Sequence, residues 1–588
     1  MKSTLLSRRD IDFLLYEWLR VDELTKLERF ADHSRETFDG VLDLSEQLAI
    51  RYFAPHNKKS DANEPSFDGD KVTVIDEVKE ALDAFAQADL IGMGMDHDLG
   101  GAQLPATVAQ AAFGWFSAAN ISTTGYLMLT IANANLLAKF GSPDQIDTFL
   151  RPMLAGRFTG TMALSETQAG SSLADITTRA DPQDDGSYRL FGSKMWISGA
   201  EHELTENIVN LVLAKIPGGP PGTKGISLFI VPKYLVNADS SVGERNDVVL
   251  AGLNHKMGQR GITNTVLNFG EGKFRPGGKP GALGYLVGEP HRGITYMFHM
   301  MNEARLGVGM GAVSLGYTGY LKSLQYARER PQGRPVTAKD PSTPQIPIIE
   351  HPDIKRMLLA QKAYVEGGMA LALYCAKLVD LGDSGDLLDI LTPVAKSWPS
   401  QWCLEANNLA IQVHGGYGYT REYDVEQHYR DNRLNPIHEG THGIQSLDLL
   451  GRKVTQRGGA SLAALGNAVA ETISSANAAG GEPKELAAQL DASWQRLVGV
   501  TATMFGSGDI EAAMANSVIY LETFGHIVVA WIWLDQLLAA HGHTGDFYDG
   551  KRQAARYFFR YELPKTASQL DLLESLDRTT LEMRDGWF

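Results

Sequence analysis

The 588-residue sequence has few cysteines and no dense cluster of basic residues. Its two cysteines, Cys375 and Cys403, stand in apolar surroundings, which excludes a disulfide framework and indicates small core residues in a reducing compartment. The formal net charge of −16 repels phosphate backbones, and no run of Lys and Arg is dense enough to overcome that repulsion locally. Nucleic acid is therefore not expected as a partner.

Long apolar runs are also missing. The most apolar window, Ile527–Leu534, is far shorter than the roughly 20 residues that span a bilayer, so it predicts a buried helix rather than an integral membrane segment. Near the N-terminus, Asp10 and Asp12 interrupt the apolar stretch that an export signal needs. The histidines are scattered and unaccompanied by cysteine, so no metal site is expected. These features predict a cytoplasmic protein.

The periodicity of apolar residues divides the chain into four regions. Helical spacing in residues 1–157 predicts an all-helical N-terminal domain, and β-rich runs separated by Gly/Pro clusters predict a middle β domain over 158–290. Helical spacing returns in 291–455, as a helical bundle, and in an additional Ala-rich helical domain over 456–588. The fold class is therefore predicted as α+β.

Finer expectations follow for the first domain. The polar, proline-containing stretch 57–70 predicts a loop, and Gly141-Ser142-Pro143 predicts a helix end followed by a new N-cap. The predicted helical blocks are Ile11–Leu19, Phe38–Phe53, Val72–Ala88 and Gln110–Phe140.

Four short motifs carry the chemistry. They are Met162–Ser172, Lys194–Ser198, Ile411–Thr420 and Ile437–Thr441. In the last of them a single carboxylate, Glu439, ends a segment where a buried base could be held. Together the motifs resemble those of the acyl-CoA dehydrogenases, flavoenzymes that desaturate acyl thioesters. The order α, β, α, α resembles a bacterial branch of large members with an extra C-terminal helical domain. The resemblance implies a central β-barrel-like domain and a C-terminal four-helix bundle between the N-terminal α domain and that extra domain.

The resemblance implies that Glu439 is the catalytic base. The α C–H of a thioester is a very weak acid, so its base must work in a dry site, where desolvation raises a carboxyl pKa toward working pH. In the family, a backbone N–H at the base and a flavin hydroxyl polarise the thioester carbonyl, and FAD accepts the β hydrogen as hydride.

The resemblance also implies the binding residues. Trp196 would lie against the flavin ring, and the Ser198 hydroxyl would approach its N5 atom. The expected FAD-binding residues are Met162, Leu164, Ser165, Gly170, Ser171, Trp196, Ser198, Arg330, Gln332, Gln412, Gly415, Gly416 and Thr441. The expected acyl-CoA-binding residues are Ser171, Arg305 and Gly440. For Arg305 the alternative is a surface ion pair.

The family pattern further implies an oligomer. The segment with Arg330 and Gln332 resembles one that reaches the flavin of a neighbouring subunit, and Gln412 with Gly415-Gly416 resembles its counterpart. We therefore expect a homodimer or homotetramer, with electron-transferring flavoprotein as the electron acceptor. His414, beside the glycine pair, is interpreted equally as a packing histidine or a cofactor contact.

Three features depart from common patterns. His438 replaces the usual Tyr beside the base, and Gly443 stands where a Gln often contacts the flavin; these bear on the substrate pocket. The run Gly307–Ala312 fits G-x-G-x-x-A, but it follows a helical pattern rather than a strand, so it predicts close helix packing and not a dinucleotide loop.

Several functions remain open from the sequence. The branch favours 3-methylmercaptopropionyl-CoA or a medium- or long-chain fatty acyl-CoA as substrate. An acyl-CoA oxidase shares fold and base, although Glu439-Gly440-Thr441 favours the dehydrogenase. A flavin-holding DNA-binding relative conflicts with the acidic charge, and a non-catalytic acyl-CoA or flavin scaffold would be favoured only without Glu439.

Overall fold

The computed structural model describes residues 3–382 and 385–588, and the chain divides into two compact units. One, here called the helical unit, comprises Met1–Ala31, Ala106–Gly114 and Arg305–Phe588. The other, the mixed unit, comprises Asp32–Pro105 and Trp115–Ala304.

The α-helices in chain order are α1 Arg8–Asp12, α2 Arg35–Leu48, α3 Asn57–Ala62, α4 Asp76–Gln87, α5 Ala106–Ala119, α6 Ile121–Phe140, α7 Pro143–Gln145, α8 Arg151–Leu154, α9 Gly293–Glu329, α10 Pro352–Asp380, α11 Asp386–His414, α12 Val425–Asn432, α13 His442–Asp448, α14 Gln456–Ala479, α15 Gly481–Gly506, α16 Ile510–Ala515, α17 Ser517–Ala539, α18 Asp546–Tyr557, α19 Thr566–Glu574 and α20 Thr579–Glu582. The strands are β1 Ser66–Phe67, β2 Val72–Thr73, β3 Phe158–Ala163, β4 Arg179–Pro182, β5 Tyr188–Ser198, β6 Asn207–Lys215, β7 Ile226–Pro232, β8 Tyr234–Val236, β9 Val242–Arg245, β10 Val248–Leu253, β11 Asn264–Phe269 and β12 Ala282–Leu286.

An eight-stranded sheet forms the centre of the mixed unit. Its order is β10-β11-β5-β12-β7-β6-β3, with β4 pairing with both β5 and β6. Most pairs are antiparallel, but β3 and β6 run parallel. Buried side chains such as Val212, Phe229 and Val231 fill its core, as β-branched and aromatic residues do on a pleated surface. The predicted β domain is confirmed, and β5 carries the motif around Trp196.

The prediction of an all-helical N-terminal domain was wrong in one place. Ser66 and Phe67 pair antiparallel with Thr73 and Val72, so Val72 lies in a strand and the helix that follows begins only at Asp76. The predicted loop 57–70 also contains α3. Two-residue strands are set by their partner across the hairpin, which apolar periodicity does not register.

The helical block predicted over Gln110–Phe140 is two helices. Asn120 adopts an extended conformation between α5 and α6, and its side-chain oxygen accepts a hydrogen bond from the Thr123 N–H at 3.1 Å. Asn120 therefore caps α6, a role for which Asn is among the best residues. The stop predicted at Gly141 is confirmed, since Ser142 caps α7 in a capping box with Gln145.

Three long helices, α9, α10 and α11, build the bundle of the helical unit. A Cβ added to Gly309 of α9 would overlap the Ala395 carbonyl of α11, and one on Gly316 would meet Cys403 at 2.8 Å. The glycines thus let the two helix backbones approach closely. The interpretation of Gly307–Ala312 as close helix packing is confirmed, and Cys375 and Cys403 are buried and free.

Helix α17 is the most apolar helix of the described residues. It has 23 residues and meets the length and hydropathy of a membrane span, but 83% of its most apolar window is buried inside the protein. The apolar helix is therefore longer than Ile527–Leu534, so the prediction that it is too short to span a bilayer was wrong. The interpretation as a buried helix is confirmed. Its burial is that of a core helix and does not indicate an integral membrane segment.

Candidate active site

Glu439 lies in the helical unit, in the short loop between α12 and α13. Its backbone has φ +51°, and that of Gly440 has φ +89°, so two consecutive residues are left-handed. A non-glycine residue in this region is sterically disfavoured and persists only when its surroundings fix it. The conformation of the loop at Glu439 is therefore imposed by neighbouring groups.

Two side chains supply that constraint. The Gln445 Nε2 group donates to the Glu439 carbonyl oxygen at 3.0 Å, and the Lys396 Nζ group donates to the carbonyl oxygens of Asn435 and Gly440, both at 2.7 Å. Gly440 leaves no room for a side chain, because a Cβ there would lie 2.5 Å from Gln445 Nε2. Consecutive peptide planes beside the carboxylate are thus held in fixed orientations.

Burial dominates the electrostatics of Glu439. It raises the pKa of the carboxyl above its usual value, although the positive charges of Arg305 and Lys396 work in the opposite direction. Burial also lowers the pKa of Lys396 to about 7, against the attraction of Glu439 and together with repulsion from Arg305. The site therefore holds a carboxyl group whose pKa is shifted upward, the direction that a general base working near neutral pH requires.

Arg305 lies buried in this region, paired with Asp448 at 3.2 Å. The ion pair of the alternative interpretation is present, but it is buried rather than at the surface, because both side chains are under 10% exposed. The guanidinium contributes positive charge to the surroundings of Glu439.

A chain of hydrogen-bonded amide side chains connects α11 and α12 to the loop that carries Glu439. Asn407 accepts from Asn432 at 2.7 Å, Asn432 accepts from Asn435 at 2.8 Å, and the Asn435 side-chain oxygen contacts the His438 Nε2 atom at 3.0 Å. Burial, reinforced by Lys396, lowers the pKa of His438 to about 3. His438 is therefore a neutral structural neighbour of the base and does not titrate near neutral pH.

Thr441 ends the loop, and Gly443 lies in the first turn of α13. The Thr441 side chain caps α13, accepting from the Ile444 N–H at 3.4 Å, as Thr does at helix starts. A Cβ at Gly443 would lie 3.9 Å from the Thr441 hydroxyl, which is ordinary van der Waals contact.

In the mixed unit, the loop after β3 carries the next group of predicted residues. Met162 is buried at the end of β3, Leu164 and Ser165 are half-buried, and Gly170 and Ser171 are exposed. The loop is fixed by Glu166, which pairs with Lys194 of β5 at 3.0 Å. Burial opposes ionisation of Glu166, but the Lys194 charge and hydrogen bonds from Thr178 and Thr177 lower its pKa to about 2.

Trp196 occupies a β-bulge. Thr265 pairs with Ile197 and Val266 with Met195, so Trp196 is left unpaired in β5, with φ +68° and 58% of its surface exposed. A bulge re-aims a side chain, and a strained backbone that exposes a large indole marks a functional position. The exposed ring offers a stacking face that suits the planar flavin of FAD.

The Ser198 hydroxyl is positioned for donation. Its oxygen accepts a hydrogen bond from Asn264 Nδ2 at 3.0 Å, and the Asn264 oxygen accepts from Asn254 Nδ2 at 2.8 Å. Because the Ser198 oxygen already accepts, its own proton remains for another acceptor. This arrangement fits a ring nitrogen or carbonyl of the same flavin.

The remaining predicted residues lie on the helical unit, where Arg330 approaches the turn that carries Gly415 and Gly416. The Arg330 guanidinium lies 5.6 Å from the ring centroid of Tyr417, beside Gly415 and Gly416, and Gln412 is exposed one turn earlier. The backbone N–H of Gln332 donates to the carbonyl oxygen of Ile346 at 3.0 Å. The residue itself is exposed.

His414 is a packing histidine. Its Nδ1 atom contacts the Ala410 carbonyl at 2.8 Å, and its ring stacks on Tyr326 at 4.3 Å. The cofactor alternative for His414 is therefore not needed to explain its position.

Sequence reasoning missed the supporting residues. Lys396, Gln445, Asp448 and Asn264 carried no motif signal of their own, and Lys194 lay in a motif without being assigned a role. One signal was available, because Lys396 interrupts an apolar stretch of a helix, where a buried ammonium must have partners. Among the described residues, no three His, Cys, Asp or Glu side chains are grouped as metal ligands would be.

Comparison with protein families covers nearly the whole chain. Residues 42–157 match the N-terminal domain of acyl-CoA dehydrogenases, 161–270 the middle domain and 291–454 the C-terminal domain. Residues 465–584 match a domain described as acetyl-CoA dehydrogenase C-terminal like.

Individual relatives agree with these matches. The chain is 33% identical over 579 residues to 3-methylmercaptopropionyl-CoA dehydrogenase of Ruegeria pomeroyi, covering 95% of this chain and 96% of the relative. It is also 33% identical over 614 residues to the broad-specificity linear acyl-CoA dehydrogenase FadE5 of Mycobacterium tuberculosis, covering 99% of both. An acyl-CoA dehydrogenase from Bacillus anthracis, solved with FAD, has the same fold (TM-score 0.72, 20% identity, 99% of this chain and 93% of that one covered).

The site and these matches define a flavin-dependent oxidoreductase that acts on acyl-CoA, with FAD as its cofactor. The chain belongs to the acyl-CoA dehydrogenase family.

Proposed function

We propose that this protein converts an acyl-CoA thioester to the trans-2-enoyl-CoA, with Glu439 as the base. The observation that carries the proposal is the half-buried Glu439 carboxyl, which is held on a constrained loop and has a raised pKa. Such a group can take a proton from a weak carbon acid.

The protein residues have separate tasks in this reaction. Glu439 removes the proton from Cα of the thioester, and the oriented backbone beside it stabilises negative charge on the carbonyl oxygen. Bound FAD would supply the hydride acceptor for Cβ, so that, with the proton taken by Glu439, two electrons and two hydrogens would leave the substrate. Trp196 and Ser198 orient the flavin, and Glu166 with Lys194 fixes the loop that adjoins it.

For the substrate, we propose 3-methylmercaptopropionyl-CoA, which would give methylthioacryloyl-CoA. The relative from Ruegeria pomeroyi supports this choice by its name, whereas FadE5 at the same identity supports a linear fatty acyl-CoA of medium or long chain. We further propose a cytoplasmic homodimer or homotetramer that passes electrons to electron-transferring flavoprotein.

The test is anaerobic mixing of the purified yellow holoprotein with a panel of acyl-CoAs while flavin bleaching is followed. The panel contains 3-methylmercaptopropionyl-CoA and straight chains from C4 to C16. We expect rapid bleaching by one class, which names the substrate. Acetyl-CoA is the matched control, because it lacks a Cβ hydrogen and must not bleach the flavin.

Failure of every thioester to bleach a fully loaded protein would contradict the proposed function. Bleaching by the fatty acyl-CoAs alone would leave the dehydrogenation in place and overturn the thioether substrate.

A further inference from the structure

We propose that Lys396 is a positioning residue for Glu439: its side chain holds both ends of the loop that carries the base, and its charge contributes to the field in which the base ionises. The inference deepens the function proposed above and rests on it. Nothing in the sequence motifs assigns Lys396 a role.

The geometry places one nitrogen at both ends of the loop. The Asn435 carbonyl precedes Glu439 by four residues, the Gly440 carbonyl follows it directly, and both accept from Lys396 Nζ at 2.7 Å. Gln445 holds the carbonyl of Glu439 itself. The left-handed backbone at Glu439 therefore depends on hydrogen bonds from two side chains, and Lys396 is the one that binds carbonyls on both sides of it.

The presence of a lysine here is not explained by packing. Its side chain is 0% exposed, and it stands on α11 among apolar neighbours such as Val394 and Ala395. Burying an ammonium group is costly unless it is paired and hydrogen-bonded, and an apolar side chain would fill the same space more cheaply. The buried carbonyls that it satisfies are the reason for a donor at this position.

The groups that face Lys396 define its electrostatic effect. They are Glu439 of the loop, Arg305 of α9 with its partner Asp448, and the ring of His438. The positive charges of Lys396 and Arg433 also act on His442, at the start of α13, and lower its pKa. Burial lowers the pKa of His442 to about 4 and that of His438 to about 3, so both rings are neutral around pH 7. Lys396 and Arg305 are then the cations that favour the Glu439 carboxylate.

These two roles of Lys396 separate by pH. With its pKa lowered to about 7 by burial, Lys396 loses its charge as pH rises through that value. A neutral amine still has two N–H groups, enough for the two carbonyls. The positioning is therefore retained on both sides of pH 7, whereas the charge effect is present only at lower pH.

The experiment compares Lys396→Met with the wild type by anaerobic flavin reduction from pH 6 to 9. We expect FAD and acyl-CoA affinities within about threefold of wild type, because Lys396 is not proposed to touch either ligand. The reduction rate should fall roughly 10- to 100-fold, since misplacing a reacting group by about 1 Å costs that order. In a plot of reduction rate against pH, the rise on the acid side (the acid limb) should move to higher pH. Lys396→Met removes a positive charge that favours the Glu439 carboxylate, so the pKa of Glu439 should be higher in the variant.

Two further variants sharpen the comparison. Gln445→Leu removes a loop hydrogen bond without removing a charge, so it should slow reduction and leave the acid limb in place. Lys453→Met is the matched control: Lys453 is a buried lysine of the same unit, paired with Asp389 at 2.7 Å, and its loss should change neither rate nor profile.

If Lys396→Met does not retain FAD, Lys396→Gln replaces it, since the amide keeps a donor and removes the charge. A Lys396 variant that keeps the wild-type rate and acid limb would overturn the inference while leaving the proposed function intact. A wild-type protein that no acyl-CoA bleaches would overturn the proposed function and this inference with it.

Discussion

Trp196 shows how one residue can combine exposure with backbone strain. Its indole is 58% exposed at φ +68°, in a bulge of β5. We expect Trp196→Gly to weaken FAD binding at least about fivefold, because stacking on an aromatic ring contributes roughly 1 kcal/mol beyond contact area. Glycine relieves the left-handed strain, so the apoprotein should be no less stable. Equilibrium titration with FAD and thermal unfolding of the apoprotein measure the two effects.

The control for this variant is Trp587→Ala. Trp587 is 61% exposed but lies outside the predicted cofactor contacts, so its loss should leave the dissociation constant of FAD unchanged. An unchanged FAD affinity in Trp196→Gly would contradict the stacking role.

At the scale of elements, glycines set the distance between α9 and α11. We expect Gly309→Ala to lower the free energy of unfolding by about 1–3 kcal/mol, because the added methyl overlaps the Ala395 carbonyl and the helices must separate. Gly499→Ala is the matched control: Gly499 lies in α15 with open space around it, so alanine should stabilise the protein by up to about 1 kcal/mol. Urea unfolding measures the free energy of unfolding of both variants. A change of the same sign in Gly309→Ala and Gly499→Ala would contradict close packing at Gly309.

Much of the element pattern could be predicted from the sequence. Apolar spacing located the helical region over 291–455 and the β-rich region over 158–290, and Gly141 with Ser142 located a helix boundary. The pairing of β1 with β2 could not be predicted, because two residues give no period and the pairing is tertiary. The break at Asn120 was missed because Asn acts there as a cap rather than as a breaker.

The candidate site was predictable in its motif residues and not in their supports. Glu439 and Trp196 were found through a family resemblance. No sequence signal gave their left-handed backbones, since these conformations depend on groups distant in the chain: Lys396 for Glu439, and the β11 pairing of Thr265 and Val266 for Trp196. Buried donors of this kind are determined by which carbonyls the fold leaves unpaired.

At the scale of the whole molecule, the chain ends are tied into the helical unit by buried charges. Lys551 of α18 forms ion pairs with Asp10 of α1 and, at 3.0 Å, with Glu366 of α10, and all three side chains are under 4% exposed. Tyr317 donates to Asp10 at 2.9 Å. The additional C-terminal helices therefore share a core with the N-terminal segment and the bundle.

This cluster gives a stability prediction. We expect Lys551→Met to lower the free energy of unfolding by about 3–5 kcal/mol, because two buried carboxyl groups lose their shared cation. Lys484→Met, at an exposed position of α15, should stay within about 0.5 kcal/mol of wild type. Thermal unfolding monitored by circular dichroism compares the two, and a Lys551→Met protein as stable as wild type would refute the role of the cluster.

The central claim is that Glu439 removes the α proton of an acyl-CoA. Its most direct test is the anaerobic rate of flavin reduction in Glu439→Gln, which keeps the size of the side chain and removes the base. We predict a yellow holoprotein with normal FAD content that reduces at least roughly 10²-fold more slowly than wild type. Glu405→Gln, at a half-buried carboxyl of α11 whose pKa burial also raises, should reduce at the wild-type rate. A Glu439→Gln protein that is reduced as fast as the wild type would contradict the account.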